Sequence, residues 1–261
     1  MLKIIKYDFI KKYRLISIVL IISAMLNLFA IIKLKIEGSA LFLGLFPMAM
    51  ILLYIIDIIK MYSDDLNKKS GYMLFMTSNS GYKIIVSKVI TAILESFAIL
   101  LIYFIFIVIN ALYISSIQGF DFSININEIV SGINMFLSGN LGFNLGHLFI
   151  ILFTILVFAI SFIMSAYTAI TVRKSIFSES KFGGLFSFII FIALNWLTSY
   201  VSDKILSIVP SDYNILVNNL ETYISASKLA LSLLPVITLA IIEIILMAIG
   251  SGYLLEKKIN L

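Results

Sequence analysis

The sequence predicts an all-α polytopic membrane protein with six transmembrane helices, and three observations lead there. Hydrophobic residues make up 61% of the 261 and charged residues only 13%, with a mean hydropathy of +1.11, whereas a soluble domain is about 25% charged. The apolar residues fall in long unbroken blocks, six of which reach the roughly 20 residues that a bilayer-spanning helix needs. Lys and Arg gather between alternate blocks, as the positive-inside rule requires.

The blocks are 15–32, 39–59, 84–114, 145–172, 182–201 and 229–255. Placing the N-terminus in the cytoplasm makes 1–14, 60–88, 173–181 and 256–261 cytoplasmic. Those segments hold 15 of the 19 Lys and Arg, leaving Lys33, Lys35, Lys204 and Lys228 opposite. Both termini are therefore expected in the cytoplasm. The net charge of +5 reads as a topology signal, with no nucleic-acid partner. A secretory signal peptide also begins with basic residues and an apolar run. This run is long for that role and no A-x-A-like site follows it, so an uncleaved span is expected.

The leading segment 1–14, MLKIIKYDFIKKYR, has its own pattern. At helical spacing Leu2, Ile5, Phe9 and Tyr13 share one face, with Asp8, Lys11 and Arg14 opposite and Lys6 and Lys12 at the borders. That describes an amphipathic helix in the headgroup plane of membrane lipids; a plain basic leader is the simpler alternative. On the outer side, 115–144 and 202–228 are semi-apolar, the second broken by Pro210. Both read as connections with short helices, the first capped by Asn127 with Ile129, Ile133 and Phe136 on its apolar face. No internal repeat or linker is visible, so 1–261 reads as a single transmembrane domain.

Ionisable residues inside spans are expensive, at least about 2.5–3.5 kcal/mol at the bilayer centre. Asp57 has Lys60 one turn away, and a structural pair suffices for it. Glu95 lies seven residues past Lys88 and Glu243 fourteen before Lys257, roughly 10 and 21 Å along a helix. Each is either a polar lining of a translocation path or a helix-to-helix hydrogen bond. Pro235, two turns before Glu243, frees a carbonyl and is expected to kink the last helix. Gly142 and Gly146, then Ser161, Ser165 and Ala169, form a small-residue stripe that suits close helix packing.

Enzyme signatures are missing. There are no cysteines and one histidine, His147, so neither a thiolate nor a His-pair metal site can be built. A Ser/His protease would need His147 away from the span margin. No Gly-Lys dipeptide occurs, hence no Walker A loop. Trp196 and Tyr200 read as interface anchors. No catalytic residue, metal or cofactor is expected in this chain.

One cytoplasmic insertion remains, between the second and third spans, with its core at 63–83. Its apolar knot Tyr72–Met76 is flanked by charge, with Gly71 and Gly81 as turns and Asp64 or Asp65 as the cap of a short helix. An apolar surface held out of lipid by charge suits protein docking; a helix lying on the membrane is the alternative.

The order of elements, with DDLNKKSGYMLFMTSNSGYKIIVSK from Asp64 to Lys88, resembles the ABC type-2 exporter permeases. Asp65, Gly71, Leu74, Phe75, Met76, Thr77, Lys83 and Lys88 occupy the places of that family's motif. Ser78 and Ser87 stand where relatives often have Pro and a small residue. The likeness extends over the whole chain as topology and over about two dozen residues as a motif.

The resemblance implies a transmembrane subunit of a bacterial plasma-membrane exporter, similar to peptide and bacteriocin exporter permeases. Segment 1–14 would be its elbow helix. The insertion would be the coupling helix, docking on an ATPase through Asp65, Lys68, Lys69, Gly71, Tyr72, Met73, Leu74, Phe75, Met76 and Thr77. Partners would be two cytoplasmic ABC ATPase subunits, which bind ATP and Mg, and a second permease copy or paralogue. The low charge and lack of a large ectodomain suit an amphipathic peptide or lipophilic cargo. Two other classes stay open: a proton-coupled secondary transporter using Glu95 or Glu243, and a non-transporting scaffold or immunity protein.

Overall fold

The computed structural model describes residues 2–67, 80–118, 131, 135, 144–177, 182–207 and 225–257. The helical run Leu2–Asn67 is interrupted at one residue, Lys35, whose φ of 50° and ψ of −124° are non-helical. As one straight helix it would place Lys11 and Asp65 about 80 Å apart. Their side chains instead form a 3.0 Å ion pair, so the chain reverses at Lys35. We number the arms α1 (2–34) and α2 (36–67), followed by α3 (Gly81–Gln118), α4 (Leu145–Ile176), α5 (Gly183–Leu206) and α6 (Ala226–Lys257).

Five helical stretches are long and apolar enough to cross a membrane, namely Ile16–Asn67, Gly81–Ile117, Leu145–Ile176, Gly183–Leu206 and Ala226–Lys257. The first is 52 residues long, over twice what the ~30 Å hydrocarbon core needs, and the reversal divides it into two arms. Large apolar side chains such as Phe29, Phe104, Trp196 and Leu246 stand exposed, which suits lipid as the surrounding solvent. The chain is a multi-pass helical membrane protein, with each described helix longer than the span expected for it. The helix runs unbroken from residue 2 through residues 14 and 15. No break therefore separates the leading segment from the first span. α6 likewise stays helical through Pro235.

The chain forms two compact units, 1–123 and 124–261. In the first, α1, α2 and α3 run up, down and up. Ser39 Oγ donates to Asn110 Oδ1 at 2.6 Å, Tyr103 to the Leu43 carbonyl at 3.1 Å and Tyr54 to the Ala92 carbonyl at 2.7 Å. As residue numbers rise on α2 their partners fall on α3, which is the antiparallel register. Phe46, Met50 and Phe106 form a buried cluster with Phe42 and Tyr103 around it, and Phe46 meets Phe106 edge-on at 5.0 Å. The hairpin turn is tighter than the sequence suggests, because Gly38 lies against α1. A Cβ there would sit 2.1 Å from the Ala30 carbonyl oxygen.

In the second unit α4 is central, packed on α6 and α5. Its buried face includes Ser161, Ser165 and Ala169, the stripe expected to pack. Gly146 lets α4 approach α6, since a Cβ on it would come within 3.0 Å of the Ala226 Cβ. Asn144 caps α4 by accepting from the His147 backbone N–H at 3.2 Å, while His147 Nδ1 accepts from the Asn144 N–H at 3.2 Å. His147 thus has a capping role at the end of its span.

Candidate functional site

Seven charged side chains converge at one end of the first unit. On α1, Ile4, Asp8 and Lys12 recur every four residues and are all buried, which places them on one helix face. On α2, Asp57 and Asp65 are two turns apart. On α3, Lys88 and Glu95 are also two turns apart, so the three helices can present charges at two matching levels.

At the first level Lys88 is enclosed. Its ammonium donates to Asp8 Oδ1 at 2.6 Å and to Asp65 Oδ2, and neither Lys88 nor Asp8 is exposed at all. Lys11, about one third exposed, adds a 3.0 Å pair to Asp65. Burial raises the Asp8 carboxyl above its ordinary value, against the pull of the Lys88 ammonium. Burial also tends to lower Lys11, but its bond to Asp65 prevails and the ammonium is held above its usual value.

At the second level Lys12 lies between Glu95, to which it donates, and Asp57, whose Oδ2 is 2.6 Å away without hydrogen-bond alignment. Lys12 and Glu95 are each only 5% exposed. Beside them a cavity of about 50 Å³ lies between α1, α2 and α3, with Asp57, Glu95, Tyr54 and Ser23 among its otherwise apolar lining.

These contacts revise several sequence expectations. Asp8 and Lys12, placed on the polar side and border of the leading helix, face the interior; Leu2 and Tyr13 are exposed and Ile5 and Phe9 half-buried, as a lipid-facing apolar side allows. Asp57 pairs across the hairpin with Lys12, where Lys60 was expected. Asp64 and Asp65 do not cap a helix start; they lie in the last turn of α2. Acidic side chains are unfavourable there against the helix dipole, and Lys88 and Lys11 compensate Asp65. Of the expected docking residues only Asp65 is described; Lys68, Lys69, Gly71, Tyr72, Met73, Leu74, Phe75, Met76 and Thr77 lie outside the described residues, as does Asn127.

Glu243, in the second unit, is half-buried on α6. The hydroxyls of Ser161 on α4 and Thr198 on α5 interact with its carboxyl. Close by, Asn195 donates to Ser165 Oγ at 3.4 Å and Thr168 to the Met247 carbonyl at 3.5 Å. That arrangement joins three helices by polar contacts and favours the helix-to-helix role for Glu243. Trp196 stacks on Tyr200 at 6.0 Å and both are exposed, as interface anchors would be. Among the described residues no group of three or more His, Cys, Asp or Glu could hold a metal ion.

The sequence contained a signal for the ion network. Asp8 and Lys12 share a face with Ile4, and 57/65 and 88/95 repeat the same two-turn interval. Pairing the three helices needed knowledge of the hairpin. Comparison with protein families, with characterised proteins and with solved structures returned no match for this chain.

Proposed function

We propose that this chain is the permease subunit of an ATP-binding-cassette exporter. It would move an amphipathic peptide or other lipophilic cargo, driven by separate ATPase subunits that dock on the segment between α2 and α3. The observation that carries this reading is the double clamp on that segment. Asp65 lies just before it and Lys88 about two turns into α3 after it, and they bind each other as well as Asp8 and Lys11 of α1. A push delivered between residues 67 and 81 would therefore move α1, α2 and α3 together, with little loss in bending at the two exits. The motif residues Gly71, Leu74, Phe75, Met76 and Thr77 and the Lys/Arg asymmetry support the same reading, with both termini in the cytoplasm. So does the lack of a Walker A loop in a chain that would need an external motor.

The test is co-purification with its ATPase, followed by Leu74→Asp and Phe75→Asp. Charge at an apolar docking contact should abolish cargo-stimulated ATP hydrolysis while membrane insertion persists. Normal assembly and stimulated hydrolysis in the double variant would refute the coupling role. A proton-coupled transporter is the second reading, favoured by Glu95 lying at a cavity with Asp57. Transport by the purified chain alone under a proton gradient would decide for it.

A further inference from the structure

The two levels of the ion network differ in charge balance. At the first, Asp8 and Asp65 meet Lys88 and Lys11, two carboxyls with two ammoniums. At the second, Asp57 and Glu95 meet Lys12 alone. Among the described residues that level is one positive charge short, inside a membrane-spanning unit where solvent reaches it only through the adjacent cavity. Geometry shows where the deficit falls. Asp57 Oδ2 is buried and has no hydrogen-bond donor aligned on it, and the Glu95 carboxyl interacts directly with Asp57. Two carboxylate oxygens facing each other in a buried site repel unless a hydrogen lies between them, and like-charged carboxyls that share a site do not both ionise.

We propose that Asp57 and Glu95 share one bound proton, which completes the Lys12 level and exchanges through the adjacent cavity. The site cycles between a hydrogen-bonded carboxylic acid–carboxylate pair and two carboxylates plus a proton released to water. A water needs about 10–15 Å³ of cavity, so a few fit in the about 50 Å³ here. The Asp57 and Glu95 carboxyls and the Tyr54 and Ser23 hydroxyls supply their polar partners. The groups that set the proton's affinity are Lys12, Lys11 and Asp8 from α1, Tyr54 and Asp65 from α2, and Lys88 from α3. Lys12 is nearest and opposes protonation. The inference does not depend on the exporter reading, since a proton site of this kind serves a motor-driven or a gradient-driven protein equally.

Infrared spectroscopy of the full chain in lipid nanodiscs reads the proton directly, because a protonated carboxyl has its own C=O stretch and shifts in D₂O. A Glu243→Gln background removes the second unit's intramembrane carboxyl from the comparison. At neutral pH one such band is expected, and it should disappear in Glu95→Gln and equally in Asp57→Asn. Either change leaves one carboxylate for one ammonium. Asp8→Asn should keep the band and Lys12→Met should double it. Survival of the band in both Glu95→Gln and Asp57→Asn overturns the proposal, as does its loss in Asp8→Asn alone. If the variants do not fold, the unsubstituted pair still decides it. The band must fade as pH is raised, and its absence at neutral pH overturns the shared proton.

Discussion

Replacing Lys88 with Met removes an ammonium that is wholly enclosed and keeps a side chain of similar reach in its place. Asp65 retains Lys11, but Asp8 loses its ammonium partner. With no solvent exposure, the Asp8 carboxyl must take up a proton to remain inside. Starting from an ordinary value of 3.8, neutralising it at pH 7 costs about 1.36 × (7 − 3.8), or about 4.4 kcal/mol, which is the ceiling on the loss because burial already raises this carboxyl beside Lys88. Breaking a buried ion pair from one side costs about 3–5 kcal/mol by experiment, so the two figures agree. The sign with pH follows. A buried carboxyl raised in the folded state carries its penalty above the unfolded value and loses it as pH falls towards 3.8. At pH 5 the same expression leaves about 1.6 kcal/mol. Reversible unfolding in bicelles at both pH values should therefore show Lys88→Met losing several kcal/mol at pH 7 and well under half of that at pH 5. Adding Asp8→Asn should recover most of the loss at pH 7. A penalty below about 1 kcal/mol, or one equal at the two pH values, would refute the buried pair.

The remaining predictions concern the hairpin and the second unit. Gly38→Leu should prevent the fold of the first unit, because even its Cβ would lie 2.1 Å from the Ala30 carbonyl. Gly44→Ala, which meets nothing within 4 Å, should express normally, and equal yields of the two would contradict the close approach of α1 and α2. Lys35→Gly should stabilise by up to about 1 kcal/mol, the relief of a positive φ of 50° less the extra freedom of an unfolded glycine. A loss of stability would mean that Lys35 is not strained. Glu243→Gln preserves a hydrogen-bonding group for Ser161 and Thr198 and should change stability little. Glu243→Leu should cost about 0.6 kcal/mol and at most about 1.7, the average and the maximum for interhelical bonds in membranes. Thermal unfolding compares the two, and equal effects would count against the helix-joining role.

The first unit illustrates how much of the site could be read in advance. Glu95 and Asp57 stood out because a charge in an apolar block demands a partner, yet each partner was missed. Asp57 has Lys60 within one turn, and periodicity alone cannot rank a nearby lysine against one 45 positions away. Asp8 and Lys12 were obscured differently. The leading helix has several ways to divide its faces, and grouping Leu2, Ile5, Phe9 and Tyr13 concealed a second stripe running Ile4, Asp8, Lys12. In lipid an apolar face gains little by turning inward, so the polar stripe is the one buried. Hydrophobicity, the usual guide to the interior, points the wrong way there.

The sequence by itself determined the helical, membrane-spanning class and the approximate place of each long helix, because span length and apolar composition are local properties set by bilayer thickness. It also marked Ser161, Ser165 and Ala169 as a packing stripe and Glu95 and Glu243 as residues that need partners. Only the tertiary structure decided that the chain reverses at the single residue Lys35. The same holds for Asp65 and Lys88 closing on Asp8, and for Lys12 standing alone between two carboxyls. The reason is physical. An ion pair is made across space by whichever charges the hairpin brings to one level, and that level depends on where a one-residue turn falls in a run of 66 residues.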